Sequence, residues 1–537
     1  MKFIDKIGKL LNFDKPDTRF ELLEREKGAP EHWSGWNDIC AQKKGEDEKT
    51  RVSDSVEASE SWLRRVFRAD INSDLIFRKF NIAGRFPAMI VYMSGMAKSS
   101  DISEFLLHPL LEAKIEKLTG DNLINNVIEV SEAETEDDLN AVKYAITEGR
   151  AALFAEGLSE AILLETRGYE KRNVNVTENE KVIRGPKEGF TESIRTNITL
   201  IRKIIRCNDL VAEFRLAGGE NNTKLAIIYR EGVTNRTLIE EIKRRLARIN
   251  IRMLESTGII EQLIEDSPLS PVPQTLSTER PDRAASYIMQ GAVALLSDGS
   301  PFALIMPITL SALMSSPEDI YMRRPLGTVF RLIRYAGAAL SLLLPAYFTA
   351  LSMYHQGMLT TEVLSTVIQS RKMVFEPLPF EMILLLFDFQ LIREAGMRVP
   401  GSIGQAIGVI GGLILGQAAV AANLASPVIL IIVAISGLGN FCIPDYSSQV
   451  SFSYFRICFV IAAWMGGLLG LVAAFMLFIA YLANIKSFGV PFMTPFAPKT
   501  YSKRPYILRG NIGMNLRSAD YLNTYDDTLR KRRKNRT

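Results

Sequence analysis

The 537-residue sequence has few of the residues that build disulfide or metal scaffolds. Its four cysteines are scattered, with no CxxC pair and no neighbouring histidine at zinc-ligand spacing: Cys40, Cys207, Cys442 and Cys458. A disulfide framework and a structural zinc site are therefore not expected. The three histidines have no nucleophile or metal-ligand partner nearby in sequence, so we interpret them as structural.

Motifs for catalysis and nucleotide binding are also missing. The sequence contains no GxxxxGK[ST], HExxH or GxSxG motif, and no GxGxxG follows a predicted strand. We therefore expect no enzyme, no cofactor and no ATP-driven pump. A net charge of +4 excludes a strongly basic nucleic-acid binder. The first residues lack an apolar run of signal-peptide length, so the N-terminal half is expected in the cytosol.

Charge is distributed very unevenly along the chain. No charged residue lies between Arg398 and Asp445, a stretch of about 46 residues, and two further uncharged stretches run from 335 to 361 and from 457 to 485. Because one membrane crossing needs about 20 apolar residues, the C-terminal half has room for several. The predicted fold class is an α/β (α+β) cytosolic N-terminal region of two subdomains, followed by a polytopic α-helical membrane domain.

The N-terminal region alternates between strand-like and helix-like patterns. Buried strands are predicted at Ala88–Met93, Ala161–Glu165 and Leu225–Tyr229, and amphipathic helices at Ile102–Leu118, Thr191–Arg206 and Arg236–Ile249. From these patterns and from composition we predict an N-terminal segment with a flexible linker (1–61), a first soluble subdomain (62–180), a second (181–266), a proline-rich connector (267–283) and a membrane-entrance segment (284–328).

The membrane domain is predicted at residues 329–498. Four crossings are expected, at 330–353, 401–423, 427–443 and 457–484, together with an interfacial helix at 379–394. Residues 499–537 form a basic tail. Four crossings place both termini on one side, and the run RKRRKNR at 530–536 marks that side as cytosolic.

A glycine stripe stands out within the predicted 401–423 crossing. Its members recur every fourth residue, which lets another backbone approach closely: Gly404, Gly408, Gly412 and Gly416. A second stripe is apolar in the middle and polar at both ends: Gln405, Val409, Leu413 and Gln417. Around a symmetry axis, Val409 and Leu413 could form a dry constriction that blocks ions. Alternatively, the stripe packs against helices of the same subunit.

Two groups of charged residues flank this stretch. Glu381, Asp388 and Glu394 could attract cations to a pore, or could form an ordinary solvated face. Around the connector, Glu279, Arg280, Asp282 and Arg283 could couple the soluble and membrane regions. The alternative is a solvated linker, in which each pair contributes little to stability.

Five segments together resemble a known family. They begin at Thr278, Leu295, Arg323, Leu391 and Ser487 and read TERPDRAA, LLSDGSPFALIMP, RRPLGTVFRLIRY, LIREAGMRVPGSIGQAIGVIGGLILGQAAV and SFGVPFMTPFAP. RGPKEGFTESIRTNITLIRKII, from Arg184, resembles the second soluble subdomain of the same family. The similarity to GerA spore germination proteins of the A-subunit type extends from about Leu75 to Pro498.

The resemblance implies a multi-pass protein of the spore inner membrane with both termini cytosolic. It implies a homo-oligomer, a pentamer, working with a transporter-like B subunit and a lipoprotein C subunit, and no nucleic acid. In the lipid bilayer this assembly would be a nutrient-gated ion channel that releases monovalent cations at germination. The glycine-stripe helix occupies the place of the family's pore helix.

Departures from the family pattern leave alternatives open. Where the family often has two glutamates before LIREAG, this chain has Leu386 and Gln390, with Asp388 as the carboxylate. A GerA-like sporulation paralogue, of the stage V protein AF type, would act as a scaffold or accessory channel. A secondary transporter is a third class, but no inverted repeat is visible between the spans.

Overall fold

The computed structural model describes residues 50–115, 117–168, 177, 179–398, 416–499 and 519–525. Within these ranges the chain forms two α/β subdomains and a helical bundle. The mixed α/β character predicted for the N-terminal region is confirmed, and each strand predicted there lies within or overlaps an observed strand.

The first subdomain is built on a five-stranded antiparallel sheet of order β1-β2-β4-β5-β3. The strands are β1 Leu75–Ile82, β2 Phe86–Met93, β3 Ala133–Glu136, β4 Ala151–Ala155 and β5 Ala161–Leu164. The helices are α1 Val56–Val66, α2 Ser99–Ile102, which continues through a π-helical turn at Ser103–Leu107 into α3 His108–Glu112, α4 Gly120–Asn126 and α5 Leu139–Thr147. Val56 of α1 is buried in the core of this subdomain, so the subdomain begins before the predicted residue 62.

The second subdomain repeats the same strand order, as β6-β7-β9-β10-β8, and is also antiparallel. Its strands are β6 Leu210–Ala217, β7 Thr223–Arg230, β8 Leu276–Thr278, β9 Val293–Ser297 and β10 Ala303–Met306. Its helices are α6 Ile194–Ile204, α7 Arg236–Ala247, α8 Thr257–Ile264 and α9 Pro281–Met289. A structural repeat of two like subdomains therefore forms the soluble region.

Two predicted boundaries, at 266/267 and at 283/284, need correction. The second subdomain does not end at residue 266, because β8 and α9 lie in the predicted connector and β9 and β10 lie in the predicted membrane-entrance segment. All residues of β9 and β10 are buried. Their apolar runs resemble membrane-entrance segments because a central strand covered on both faces is hydrophobic throughout.

A buried ion pair joins the two subdomains. The guanidinium of Arg202 in α6, only 2% exposed, donates through Nε and Nη2 to the Asp74 carboxylate, and Nη2 also donates to the carbonyl of Leu210 at 3.0 Å. The backbone N–H of Ser73 donates to the carbonyl of Ala212 at 3.1 Å. The strands of one subdomain are thus anchored to a helix and a strand of the other.

The helical region follows β10. Its helices are α10 Leu310–Leu313, α11 Glu318–Tyr321, α12 Arg324–Tyr354, α13 Thr361–Arg371, α14 Leu378–Arg398, α15 Pro427–Phe441 and α16 Tyr446–Asn484. Among the described residues, α12 and α16 are long and apolar enough to cross a membrane, and α15 is a shorter apolar helix. The predicted 401–423 crossing lies mostly outside the described residues, so this crossing stays a prediction.

Helix α16 is a helical hairpin rather than one rod. Gly467 breaks it with φ 59° and ψ −142°, and the arms 446–466 and 468–484 fold back on each other. The ring centroids of Phe455 and Phe478 lie 4.8 Å apart, although 23 residues of straight helix would separate them by about 34 Å. The single crossing predicted at 457–484 is therefore corrected to two antiparallel arms.

Helix α14 is a member of the bundle, which corrects the predicted interfacial helix at 379–394. Its Met382 and Leu386 are almost completely buried. The Phe389 ring occupies the space that a side chain at Gly437 of α15 would fill, and Phe380 contacts Trp464 of α16 at 5.3 Å between ring centroids. A helix lying along the membrane surface would not pack against two neighbouring helices of the bundle in this way.

Candidate functional site: the joint between the soluble and helical regions

Arg280 lies at the centre of a polar network where the second subdomain meets the helical bundle. Its side chain is fully buried, and its Nε and Nη2 donate to the Asp282 carboxylate at 3.1 and 2.8 Å. Asp282 also accepts a hydrogen bond from the Tyr321 hydroxyl at 2.7 Å. Because Tyr321 ends α11, three residues before α12 begins, this network ties α9 of the soluble region to the start of the bundle.

We call this contact between the second subdomain and the helical bundle the joint. Glu180 is a second centre of hydrogen bonding in the joint. Its Oε1 accepts from Arg283 Nη1 at 2.5 Å and its Oε2 from the Thr278 hydroxyl at 2.6 Å. Arg283 Nη2 donates onward to the Ser315 carbonyl at 3.1 Å. The fourth predicted coupling residue, Glu279, accepts hydrogen bonds from Asn179. The structure thus brings all four predicted coupling residues into one buried network, which differs from a solvated linker.

Asp319 continues the joint into α12. This carboxylate is 2% exposed and accepts from Arg331 Nε at 2.8 Å and from Arg334 Nη1 and Nη2 at 3.0 and 3.1 Å. Arg331 and Arg334 are three residues apart and therefore share one face of α12. These ion pairs fix α12 against α11, whose Tyr321 contacts the soluble region through Asp282.

The return from the α16 hairpin forms a second contact with the soluble region. Ser487 of the short β11 (Lys486–Ser487) donates through its hydroxyl to the Gln274 carbonyl at 2.6 Å, and Phe488 N–H donates to Asp266 Oδ2 at 2.6 Å. The Phe488 ring is fully buried, with the Arg245 guanidinium 4.4 Å from its centroid. Tyr481 hydroxyl donates to Ser270 Oγ at 2.8 Å. Both regions are therefore joined at the beginning and at the end of the bundle.

Buried carboxyl groups lie beside this second contact. Burial, together with the neighbouring Glu261 and Asp266, raises the pKa of Glu265 to about 8, although the hydrogen bond from Gln274 N–H opposes the shift. Burial also raises the pKa of Glu261, whose carboxylate accepts from the Thr275 hydroxyl at 2.7 Å. The folded state therefore favours the protonated form of both groups.

The stability of the protein should fall as pH rises from about 4.5 to about 8. In this window Glu265 keeps its proton in the folded state but loses it in the unfolded state, because its folded pKa of about 8 exceeds the model-peptide value of 4.5. We expect Glu265→Gln, which keeps an acceptor oxygen for Gln274, to raise stability at pH 8 by a few kcal/mol, since each pKa unit corresponds to about 1.4 kcal/mol. Thermal unfolding against pH measures this effect.

The exposed Glu255 provides the matched control. Glu255→Gln should leave the pH dependence of the melting temperature as it is in the parent. Equal pH profiles for the parent and Glu265→Gln would refute the assignment of the raised pKa to this residue.

The three predicted cation-attracting carboxylates have different surroundings. Glu381 is 1% exposed, forms an ion pair with Arg371 at 3.2 Å and accepts from the backbone N–H of Ser426 at 2.5 Å. It therefore fixes the start of α15 and is not a free negative charge. Asp388 and Glu394 are partly exposed, so an attraction for cations stays a prediction for these two alone.

Only one end of the glycine and pore stripes is described. Gly404, Gly408, Gly412, Gln405, Val409 and Leu413 lie outside the described residues. A Cβ built on Gly416 would lie 3.4 Å from Leu430 Cδ2, so this glycine faces α15 of the same chain. Gln417 is exposed. At this end, the glycine stripe packs within the subunit and the neighbouring glutamine does not.

Comparison with known families decides the identity of the chain. The family model described as "Bacillus/Clostridium GerA spore germination protein" matches residues 61–519. The chain belongs to the GerA family. The match begins within α1 and ends at the first residue of the last described segment, so it includes both soluble subdomains and the helical bundle.

Relatives of this GerA chain match over most of their length. Spore germination protein GerLA of Bacillus cereus is 33% identical over 85% of this chain and 94% of the relative. Spore germination protein A1 of Bacillus subtilis is 35% identical over 79% and 87%, and the uncharacterised membrane protein YfkQ of Bacillus subtilis is 33% identical over 79% and 83%. A crystal structure of the N-terminal domain of the A subunit of the Bacillus megaterium spore germinant receptor GerK3 is 26% identical, covering 48% of this chain and 96% of that chain, with a TM-score of 0.36.

Sequence reasoning missed several residues of the joint in this GerA chain. Glu180 lies about 100 positions from Thr278 and Arg283, so local spacing gives no signal for it. Asp319 was detectable, because the two arginines on one face of α12 need a nearby carboxylate. Ser487 and Phe488 belong to a segment singled out by the family resemblance, but its docking onto the second subdomain becomes visible only in the structure.

Proposed function

We propose that this chain is the A-type subunit of a spore germinant receptor, and that it forms a nutrient-gated channel for monovalent cations in the spore inner membrane. The observation that carries the proposal is the extent of the family match, residues 61–519. A match to the soluble region alone would support only a shared binding module. Here the subdomains, the joint and most of the bundle belong to one family architecture.

The surface of the bundle supports a position in the membrane. Large apolar side chains on α16 are strongly exposed, including Met465, Leu469 and Leu477 at 79%, 80% and 71%. Apolar surface of this extent is typical of contact with lipid or partner subunits. A relative named as a membrane protein agrees with this position.

Contacts at the two ends of the bundle support a multi-pass arrangement. Helix α12 starts at the soluble joint, and its last residue, Tyr354, donates through its hydroxyl to the Trp464 carbonyl near the hairpin turn at 2.7 Å. Both hairpin arms return to the connector, through Ser451 to the Pro271 carbonyl and through Tyr481 to Ser270. With α14, α15 and the predicted 401–423 crossing, this gives six passes and leaves both ends of the bundle on the cytosolic side.

The exposed Gln417 supports a pore shared between copies of the chain. Since Gly416 packs against Leu430 of the same chain, the adjacent stripe at this end points away from that contact. In a homo-oligomer, a pentamer, the stripe would surround the axis, with Val409 and Leu413 as a dry constriction. Nutrient binding by a transporter-like B subunit, with a lipoprotein C subunit, would act on this gate through the soluble joint.

Substitutions at Val409 test the gate. Val409→Ala should widen the constriction and increase basal potassium flux from proteoliposomes several-fold, whereas Val409→Phe should suppress the flux, because the apolar constriction controls whether water and ions enter. The same substitutions at Val472, which is 51% exposed on the second arm of α16, are the matched control and should leave the flux unchanged.

Germination of spores carrying the same variants extends this test. Premature potassium release is expected for Val409→Ala, at protein levels equal to the parent. Identical flux and germination for both Val409 variants would show that the stripe is not the gate. A complete absence of current from the parent protein would instead favour a scaffold that recruits partners.

A further inference from the structure

Two arginines lie buried side by side within the helical bundle. Arg393 of α14 is 8% exposed and Arg456 of the first α16 arm is 1% exposed. Arg456 Nη1 donates to Ser436 Oγ at 3.1 Å. With the Asn440 amide turned so that its oxygen accepts, Arg393 Nη1 lies 3.0 Å from that oxygen. Ser436 and Asn440 are one turn apart on α15, so both guanidinium groups lie against one face of this helix.

Three further donor atoms of these guanidinium groups are unused. Within the part of the chain that the structure describes, Arg393 Nε and Nη2 and Arg456 Nε are buried and have no hydrogen-bond partner. The side chain of Gln390, one turn before Arg393, also has a buried oxygen without a partner. In the part of the chain that the structure describes, no carboxylate forms an ion pair with either arginine, and residues 399–415 contain no Asp or Glu.

The unused edge of Arg393 has a defined chemical preference. Nε and Nη2 point in parallel to one side of the guanidinium plane, and this edge binds both oxygens of a carboxylate. The same edge is occupied in this way elsewhere in the chain, where Arg280 holds Asp282 at 3.1 and 2.8 Å and Arg167 holds Glu165 at 2.6 and 2.5 Å. In Arg393 the same edge meets no acceptor among the described residues.

The free-energy cost of burying two unpaired guanidinium groups favours a ligand at this edge. Two like charges in a membrane-depth interior are strongly unfavourable unless each is paired and hydrogen-bonded. A negative ligand would relieve both their mutual repulsion and the unused donors. We propose that Arg393 and Arg456 form a binding site for a small monocarboxylate anion inside the helical bundle.

The burial of the site indicates whether the carboxylate belongs to another protein or to a free anion. A side chain of a second protein would meet the outer surface of the bundle, whereas Arg456 is almost completely enclosed by its own chain. An enclosed site of this kind therefore suits a free anion of acetate size rather than a protein side chain. The site is independent of cation conduction, and it connects α14, α15 and the hairpin, so occupancy would favour the packed arrangement of these helices.

Thermal unfolding of the purified full-length protein in detergent tests the site. We expect millimolar sodium acetate to raise the melting temperature in a saturable manner above sodium chloride at equal ionic strength, because a ligand that binds only the folded state stabilises it. Arg393→Gln and Arg456→Gln should abolish the acetate-specific increment. Arg65→Gln, at an exposed arginine of α1, should retain it.

Arg393→Lys decides the case if the glutamine variants do not fold. Lysine keeps the positive charge but lacks the parallel donor edge, so half-saturation should move to an acetate concentration roughly tenfold higher, as expected for losing one of two charge-assisted hydrogen bonds. Equal responses of the parent to acetate and chloride would overturn the proposal. An acetate response that is unchanged in Arg393→Lys and Arg393→Gln would also overturn it.

Discussion

Gly467→Ala is expected to disrupt the α16 hairpin, whereas Gly466→Ala should be tolerated. Gly467 has φ 59° and ψ −142°, a region that is essentially restricted to glycine. A Cβ there would also lie 3.1 Å from His355 Cε1 and 3.2 Å from Tyr354 Cβ, while a Cβ at Gly466 meets no atom within 4 Å. The backbone strain alone should cost about 1–3 kcal/mol.

Distance measurements between spin labels detect this change directly. Tyr454 and Ile479 are exposed and lie on opposite arms, so labels there, in a background without the native cysteines, should be close in the parent and in Gly466→Ala. A continuous helix would separate these positions by about 37 Å. We expect Gly467→Ala to broaden the distribution towards long distances and to lower the melting temperature.

The two glycines are adjacent in the same apolar helix, so the comparison tests the special backbone conformation and close contacts of Gly467. Unchanged distances in Gly467→Ala, together with an unchanged melting temperature, would contradict the hairpin turn at this residue. Disruption by both variants would indicate that general crowding at the turn, rather than the positive φ, determines the fold.

The hairpin also shows where sequence patterns stop being informative. Between 457 and 485 the chain is uncharged and apolar, a length that fits one tilted crossing better than two. The first arm begins earlier, among the polar residues after Asp445, because Ser448 and Ser453 are buried against other helices. Hydropathy does not detect a membrane helix that begins among polar residues. The pair Gly466-Gly467 is ambiguous as well, because adjacent glycines occur both at close contacts between helices and at turns.

Short sequence runs were sufficient to predict strands in the soluble region. The runs at Ala88–Met93 and Leu225–Tyr229 predict strands because they are short, uncharged and rich in Ile, Val, Leu and Tyr, and both lie in interior strands of their sheets. β9 was assigned to the membrane entrance, since a strand buried on both faces and a membrane segment are equally apolar. Only its pairing with β7, about 70 residues away, separates the two possibilities.

The candidate joint illustrates the same limit for polar residues. TERPDR was recognised as a candidate because opposite charges are clustered in sequence, but its partners are distant. Arg280 reaches the carbonyl oxygens of Glu180 and Pro186 at 3.2 and 2.9 Å. The sequence therefore predicted the location of the joint, whereas its burial, on which the next prediction depends, required the fold.

Arg280→Met should destabilise the soluble region more than any surface charge substitution. Arg280 is fully buried, and its loss leaves the Asp282 carboxylate with the Tyr321 hydroxyl as its one remaining side-chain donor among the described residues. Removing one partner of a buried pair typically costs about 3–5 kcal/mol. For a region of this size we expect the melting temperature to fall by roughly 6–20 °C.

The double variant Arg280→Met/Asp282→Asn separates lost attraction from a stranded charge. It removes the uncompensated carboxylate, so we expect it to recover part of the stability lost in Arg280→Met. Arg252→Met is the control, because Arg252 is 89% exposed and its pairing with Glu220 at 3.4 Å should contribute at most about 1 kcal/mol. If Arg280→Met melts like Arg252→Met, the joint is not held by this pair. If the double variant is less stable than Arg280→Met, Asp282 contributes mainly through Tyr321, and the α9 to α11 contact is the stronger half of the network.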